Sequence, residues 1–440
     1  MMNDDIATYQ SPFSTRYGTE KMRVLFSEMR KRIEWRRAWM ELAEFQGMPK
    51  LSKEEWYDVL NYTVYDYVAA LAEESKTHHD LVAELHQLEG HCSFMKGNRA
   101  IWLHQGITSS DIEDTADGTI LREASREIQT QINQLIRMLL VLAQTHESYV
   151  ILARTHLQLA EPTTLGYRFL WYAYQLHYVD VSYPHYKFMA GAVGTGANLR
   201  FFDTRSPENS LPVFQTAPRQ WDLELMAKLS QVASVLNKMA FDIRVMSMEG
   251  LVSEGKTESQ VGSSAMPGKT NPIKSEKICG LARLFPGWYN AVWDYAACSL
   301  LERTLDDSST RRVVLPEAFL AMSEMLQSAY SVIRNLETPR RPEPAEMWKT
   351  LRHEWEAWAP SRVVAYLRSQ HGGEYSKVYK EVEDSMDVVM GLTGFLGYWD
   401  IHLSIQDLAR MGAFIEHNKL LTRRLYQALD EVDLWNKGDL

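Results

Sequence analysis

The densest group of reactive side chains in the sequence lies at Gly262-Ser-Ser-Ala-Met-Pro-Gly-Lys-Thr-Asn-Pro272. Ser263 can serve as a nucleophile or base, Lys269 as a cation and Asn271 as an amide donor. Glycine and proline on either side suit a loop that opens and closes over a reacting centre, although a plain surface loop with a proline at a helix start has the same composition. A second polar island, Arg154 to Gly166, carries His156. An imidazole there could donate a proton near neutral pH, or simply make a structural hydrogen bond. In a third, His78-His79-Asp80, the carboxylate can orient the neighbouring ring and raise its basicity. No further histidine or cysteine falls at ligand spacing, which argues against metal. The fourth island, Glu302 to Arg312, holds Arg303, Ser308 and Arg312, whose guanidinium forks match phosphate or carboxylate oxygens. The same run could be a salt-bridged helix face. A weaker partner is Ser11 to Tyr17, with Arg16 and Tyr17. These islands are far apart in the chain, so a shared site needs folding or assembly.

The elements that must position them are helical. Leu121, Ile128, Ile132, Leu135, Leu139 and Leu142 recur at spacings that keep one helix face apolar. The same holds for Leu225 through Met246 and for Leu315 through Leu336. Tyr167 to Phe188 and Ile273 to Asn290 also read as helix, apolar on more than one face, as befits buried segments. No strand-turn-strand alternation of any length stands out. The reading is an all-α protein in three helical domains: 1–107, a central long-helix bundle 108–338 with the loop 253–272, and 339–440. The boundaries are the polar break His104 to Thr108 and the proline-rich joint Pro339 to Pro344.

Composition narrows the function classes. The 440 residues are 45% hydrophobic and 24% charged, a soluble globular mix. Forty-seven basic against 57 acidic residues give −10, which argues against nucleic-acid binding through a general positive surface. An anionic ligand would need a local cluster of arginines. Cys92, Cys279 and Cys298 form no CxxC pair, so a reducing cytoplasm is the simplest location. The start, MMNDD, is acidic where a secretion signal is basic, and the apolar stretch Met138 to Ala143 is far too short to span a membrane.

Gly262 to Pro272 resembles the GSSxMPxKxNP signature of the fumarase/aspartase superfamily. The closer resemblance is to its adenylosuccinate lyase family. It rests on Ser11 to Tyr17, His79-Asp80, Thr108-Ser109-Ser110-Asp111 with Asp114-Thr115, Arg154 to Gly166, and Glu302 to Phe319. Residues 339–440 carry no such match. The resemblance implies an α-helical homotetramer whose helices form a larger shared core, with each active site built from three subunits. It implies β-elimination of fumarate from adenylosuccinate, giving AMP, and from the succinyl-carboxamide ribotide (SAICAR), giving AICAR, without metal or organic cofactor. On matched positions, Ser263 is the base that removes the β-proton and His156 the acid that protonates the leaving nitrogen. Lys269 and Asn271 stabilise the charge on the aci-carboxylate. Thr108, Ser109 and Gln215 hold the succinyl carboxylates. Arg16, Tyr17, Arg303, Ser308 and Arg312 hold phosphate and ribose, and His79 positions substrate and supports His156. His78 and Thr270 depart from the family's usual arginines.

Two other readings compete. One is a lyase of the same superfamily acting on argininosuccinate or a specialised-metabolite amine, which would have no phosphate for Arg16, Arg303, Ser308 and Arg312 to bind. The other is a non-catalytic protein on the same fold, a structural protein or nucleotide-binding regulator, which would not need Ser263, His156 and Lys269 together.

Overall fold

The computed structural model describes residues 8–92, 94–187, 189–201, 212–255, 266, 269–338, 344–389 and 391–438. Its three longest helices in the middle of the chain follow the three apolar periodicities: Ser109–Thr145, Gln220–Met248 and Asp306–Arg334. All-α is the right class, and helices of this length are held by packing rather than by propensity. Two compact units share the chain. The first comprises Met1–Gln131, Val179–Asn237 and Lys277–Ser328, the second Ile132–Tyr178, Lys238–Glu276 and Ala329–Leu440.

The first unit is built around Trp35, Trp39, Leu42, Leu88, Leu103 and Ile112, all buried. Each such side chain contributes about 1.5–3 kcal/mol of burial. Within this core, Arg36 Nε donates to Glu84 Oε1 at 2.6 Å, while Arg32 Nη1 and Tyr62 Oη donate to Glu84 Oε2 at 3.1 Å. This buried cluster locks the helix Glu28–Gln46 to the helix Asp80–His91. The second unit has its own core, with Trp355, Trp358, Val363, Phe395 and Leu408 at its centre. It belongs largely to the segment after Pro344.

Three expectations are corrected. Where no strand-turn-strand alternation stands out in the sequence, Val150–Thr155 and Gln158–Thr164 form an antiparallel hairpin, with Thr155 opposite Gln158 and a bulge between Leu152 and Arg154. The helix after it, Leu165–His177, stops well short of Phe188. Ile273 to Asn290 is two helices, Ile273–Ala282 and Phe285–Ala297. Pro286 explains that break, because it brings no N–H and its ring crowds the carbonyl four residues back. The 339–343 part of the proline-rich joint lies outside the described residues, and a helix begins at Pro344.

Candidate active site

His78 ends the helix Val64–Thr77 in a left-handed conformation, φ 54°, and His79 follows as the N-cap of Asp80–His91. The His79 side chain makes no capping bond, so its ring can reach outward. Nε2 lies 3.2 Å from Ser109 Oγ and Nδ1 3.6 Å from Asp80 Oδ1. Ser109 starts the long helix Ser109–Thr145. The chain arrives there through His104 and Gly106, both at positive φ. At Gly106 a Cβ would press to 3.3 Å on the backbone of Asn198, so glycine is required on both counts. Trp39 Nε1 donates to His104 Nδ1 at 3.1 Å, and burial holds the imidazole below its usual pKa, which keeps it neutral.

Asp111 fixes the start of this helix. Its carboxylate accepts from Thr108 N at 3.0 Å, Ala190 N at 2.9 Å and Gly191 N at 3.1 Å. Lys187, fully buried, sits with Nζ 2.9 Å from Asp111 Oδ1 and 3.7 Å from Asp114 Oδ2, and also donates to the carbonyl of Gln215. The Gln215 amide in turn donates to Ala192 O at 2.9 Å. Thr108, Ser109 and Gln215 are thus held in one frame. Among the described residues, Thr108 Oγ1 is buried and has no hydrogen-bond partner, an orphan hydroxyl of the kind that a bound ligand satisfies.

From Asp114 the charges alternate toward the arginines. Arg219 Nη1 donates to Asp114 Oδ1 at 2.8 Å, and Arg219 Nε to Asp307 Oδ2 at 2.5 Å. Asp307 Oδ1 accepts from Arg303 at 2.8 Å. Arg311 spans Asp117 and Asp222 at 2.8 and 2.6 Å. Burial acts to raise the Asp114 carboxyl, but Arg219, Lys187 and Arg311 outweigh it and hold the group well below the usual carboxylate range. Asp117 moves the other way, raised by burial against the pull of Arg311. Arg303, Ser308 and Arg312 line one cavity of about 180 Å³ together with Glu113, Lys31 and Trp35. Arg312 is paired with Asp80 at 2.7 Å and Glu113 at 3.3 Å. Pro316 lies on the cavity wall within the helix Asp306–Arg334 and has no N–H to offer the Arg312 carbonyl. Arg16 and Tyr17 follow the short 3₁₀ turn Pro12–Ser14, bonded through their amides to Pro12 O at 2.8 and 3.1 Å. Neither belongs to the lining of that cavity.

The remaining candidates lie in the second unit. His156 and Leu157 form the hairpin's two-residue turn, with φ 53° and 65°. That is the left-handed conformation that a type I′ turn demands and that glycine or asparagine usually supplies. An exposed histidine held in this way is a strained backbone position at a candidate proton donor. Arg154 braces the turn through Leu157 O at 2.9 Å and pairs with Glu249. Gly166 is fixed by close packing, since a Cβ there would meet Ala143 O at 2.4 Å. Ser263 lies outside the described residues. Lys269 and Asn271 are placed just before the helix Ile273–Ala282, with Lys269 exposed. Ser253 and Glu254 are both anchored, and Glu254 holds the start of that helix. Buried Glu254 accepts from Lys274 N at 3.1 Å and Ser275 N at 2.7 Å, while Ser253 next to it exchanges backbone bonds of 2.9 Å with Glu337.

The structure therefore brings His79 to Ser109 and Arg312 to Asp80 within the first unit. It also gathers Arg303, Ser308 and Arg312 on one cavity. Sequence reasoning missed Lys187, Arg219, Arg311 and their acids. One signal for them was present. Asp111, Asp114 and Asp117 recur every third residue along an otherwise half-apolar helix, so they share a face that must be neutralised if buried.

A lyase family profile matches residues 66–287. Adenylosuccinate lyase from Schistosoma mansoni is 32% identical over 368 residues, covering 76% of this chain and 74% of that protein. Adenylosuccinate lyase from Pyrococcus horikoshii is 33% identical over 353 residues, covering 74% and 76% respectively. Two of the solved structures that share the fold illustrate it. One is β-carboxy-cis,cis-muconate cycloisomerase from Acinetobacter calcoaceticus, with TM-score 0.73 and 17% identity over 95% of this chain and all of that one. The other is a fumarate lyase from Mesorhizobium, with TM-score 0.68 and 22% identity over 94% of this chain and 95% of that one. The chain belongs to this lyase family, within the fumarase/aspartase superfamily. Its adenylosuccinate lyase relatives match it along about three quarters of its length.

Proposed function

We propose that this enzyme cleaves adenylosuccinate to AMP and fumarate, and SAICAR to AICAR and fumarate, as an adenylosuccinate lyase of purine biosynthesis. The observation that carries the reading is the convergence of Arg303, Ser308 and Arg312 on one cavity. Those three residues are the phosphate ligands that the sequence motif implies, and an argininosuccinate-type substrate has no phosphate to occupy them. The 30–33% identity to adenylosuccinate lyases supports the same choice.

In this mechanism Ser263 removes the β-proton of the succinyl group. Charge then develops on the adjacent carboxylate, where Lys269 and Asn271 supply fixed donors. A serine hydroxyl is a weak base, so the reaction requires a site that excludes water and stabilises the alkoxide. His156 donates a proton to the departing nitrogen, because an amine leaving as an anion is prohibitively costly. Thr108, Ser109 and Gln215 hold the carboxylates, and the orphan Thr108 hydroxyl is suited to that task. His79, hydrogen-bonded to Ser109, orients this end of the substrate. Arg16 and Tyr17 complete the phosphate and ribose contacts. The reaction uses no metal or organic cofactor.

The working form in this reading is a cytoplasmic homotetramer, in which three copies contribute residues to each of four active sites. The sequence domains 1–107, 108–338 and 339–440 are its building segments. The long helices carry exposed apolar side chains such as Val141, Phe241 and Tyr330, a pattern that favours association with further helices. No described helix is long and apolar enough to cross a membrane. The direct test adds adenylosuccinate to purified protein and follows absorbance as AMP and fumarate form. Absence of both products from folded protein would overturn the assignment.

A further inference from the structure

The cavity of Arg303, Ser308 and Arg312 contains a feature that phosphate binding does not call for. Glu113, four residues into the helix Ser109–Thr145, lies 3.3 Å from Arg312 Nη2, and Asp80 takes the same nitrogen at 2.7 Å. Arg312 is thus already bound by two carboxylates where an incoming phosphate needs it. We propose that Glu113 is a specificity-determining residue that sets how tightly the nucleotide phosphate is held, by competing with it for Arg312. This rests on the nucleotide reading given above.

The surroundings decide which of the two carboxylates yields. From its own helix Glu113 faces Asp114 and Asp117, from the helix Asp80–His91 it faces Asp80, and from Asp306–Arg334 it faces Arg312. Glu28 and Lys31 of the helix Glu28–Gln46 line the same cavity, as do Arg219, Arg303 and Arg311. Asp80 is held below the usual carboxylate range: burial opposes this, but Arg312 and the Leu81 amide prevail. Glu113 is pushed up to about 7, by burial first and then by Asp80 and Asp117, with Arg312 pulling against them. Asp80 therefore stays ionised and Glu113 is the group that gives way. When a phosphate dianion enters, Glu113 takes one proton from solvent, releases Arg312 and removes a like charge from beside the ligand. Above neutrality that proton must be drawn from a scarcer supply, so binding weakens as pH rises. Each pH unit in which the bound form holds one more proton than the free form changes affinity by about tenfold.

The test uses the full chain and AMP as probe, with Kd measured by calorimetry between pH 7 and 8.5. Over this range the phosphate stays a dianion, since its second pKa is about 6. For the wild type we expect Kd to rise about tenfold across the range. Titrations near pH 8 in two buffers of different ionisation enthalpy should show net uptake approaching one proton per AMP. Adenosine, which lacks the phosphate, should show neither effect. In Glu113→Gln the slope should flatten, the proton uptake should vanish and AMP should bind more tightly than to wild type at pH 8.5. The wild-type proton count stands without the variant, so a poorly folded variant still leaves a decisive measurement. No proton uptake by wild type, or an unchanged slope in a folded Glu113→Gln, overturns the inference. Adenylosuccinate cleavage is followed alongside. Turnover without the proton effect refutes this inference alone, and the proton effect without turnover refutes the catalytic assignment alone. Failure of AMP to bind refutes this inference alone when turnover is present, and both readings when turnover is also absent.

Discussion

Replacing Lys187 with methionine removes the ammonium group and its charge while keeping most of the apolar stem. The lysine is fully buried and serves Asp111, Asp114 and the carbonyl of Gln215 together. Asp111 would keep three backbone amides, and Asp114 would keep Arg219 and the Ala217 amide, but both carboxylates would lose a shared counter-charge in a buried setting. Breaking a buried pair from one side costs about 3–5 kcal/mol. At roughly 2–4 °C per kcal/mol for a unit of this size, Tm should fall by about 6–20 °C in thermal unfolding followed by circular dichroism. Function should fall too, because the helix start carrying Thr108 and Ser109 and the segment carrying Gln215 lose their common anchor. Misplacement on the order of 1 Å costs up to about a hundredfold in turnover. We expect kcat/KM to drop at least tenfold at a temperature where the variant is folded. Asp114→Asn in the Lys187→Met background should add less than it does alone, since the two residues share one interaction. A Tm within about 1 °C of wild type, or strictly additive losses in the double variant, would refute this account of the frame.

Four further outcomes follow from the site. Ser263→Ala should abolish turnover yet still bind substrate in equilibrium titration, because the hydroxyl acts on the transition state. Arg303→Ala or Arg312→Ala should raise KM for adenylosuccinate by one to two orders of magnitude, from a lost charge-assisted contact of about 1.5–3 kcal/mol, as steady-state kinetics would show. Asp114 has a depressed carboxyl in the folded protein, so its stabilisation is present above the unfolded value of about 3.9 and is lost as pH falls through the folded one. The stability gap between wild type and Asp114→Asn should accordingly narrow below about pH 4 in denaturant melts. Finally, mixing inactive His156 and Ser263 variants after mild dissociation should recover part of the activity if different copies share each site, and verified mixed tetramers with no recovery would exclude that arrangement.

What the sequence discloses follows from the range of the interactions. The helices Ser109–Thr145, Gln220–Met248 and Asp306–Arg334 are legible because apolar periodicity over many turns is a local signal. The motif islands are legible because catalytic chemistry restricts residue types within a few positions. The hairpin is hidden because its turn uses His156 and Leu157 where glycine or asparagine is the usual marker, and because Pro162 lies within a strand. The helix break before Phe285 was open to reading from Pro286. Of the buried charges, Asp111, Asp114 and Asp117 are legible as one helix face, but their partners are not. Lys187 meets Asp111 across 76 residues of chain and Arg219 meets Asp307 across 88, and no local pattern pairs such partners.

Those charges also explain why so costly an arrangement is placed here. From Arg303 the contacts run through Asp307, Arg219, Asp114, Lys187 and Asp111 to the amide of Thr108. One end of the series grips a phosphate in the proposed reaction and the other grips the succinyl carboxylates. Well-packed hydrophobic side chains could match or exceed the stability of such a series, since each buried ion gives up its hydration. Apolar contacts, however, are not directional, and they would leave the spacing of the two grips free to drift. Alternating hydrogen-bonded charges fix each member by angle as well as by distance, and displacing any one exposes an unpaired buried charge. The frame therefore trades stability for a defined separation between phosphate and succinyl groups, the quantity that decides whether the β-proton reaches its base. On this view Arg219→Lys, which keeps the charge but loses the fork joining Asp114 to Asp307, should lower kcat for adenylosuccinate by more than it lowers Tm-corrected stability. A variant that melted early but turned over normally would show that the frame stabilises the protein without setting its geometry.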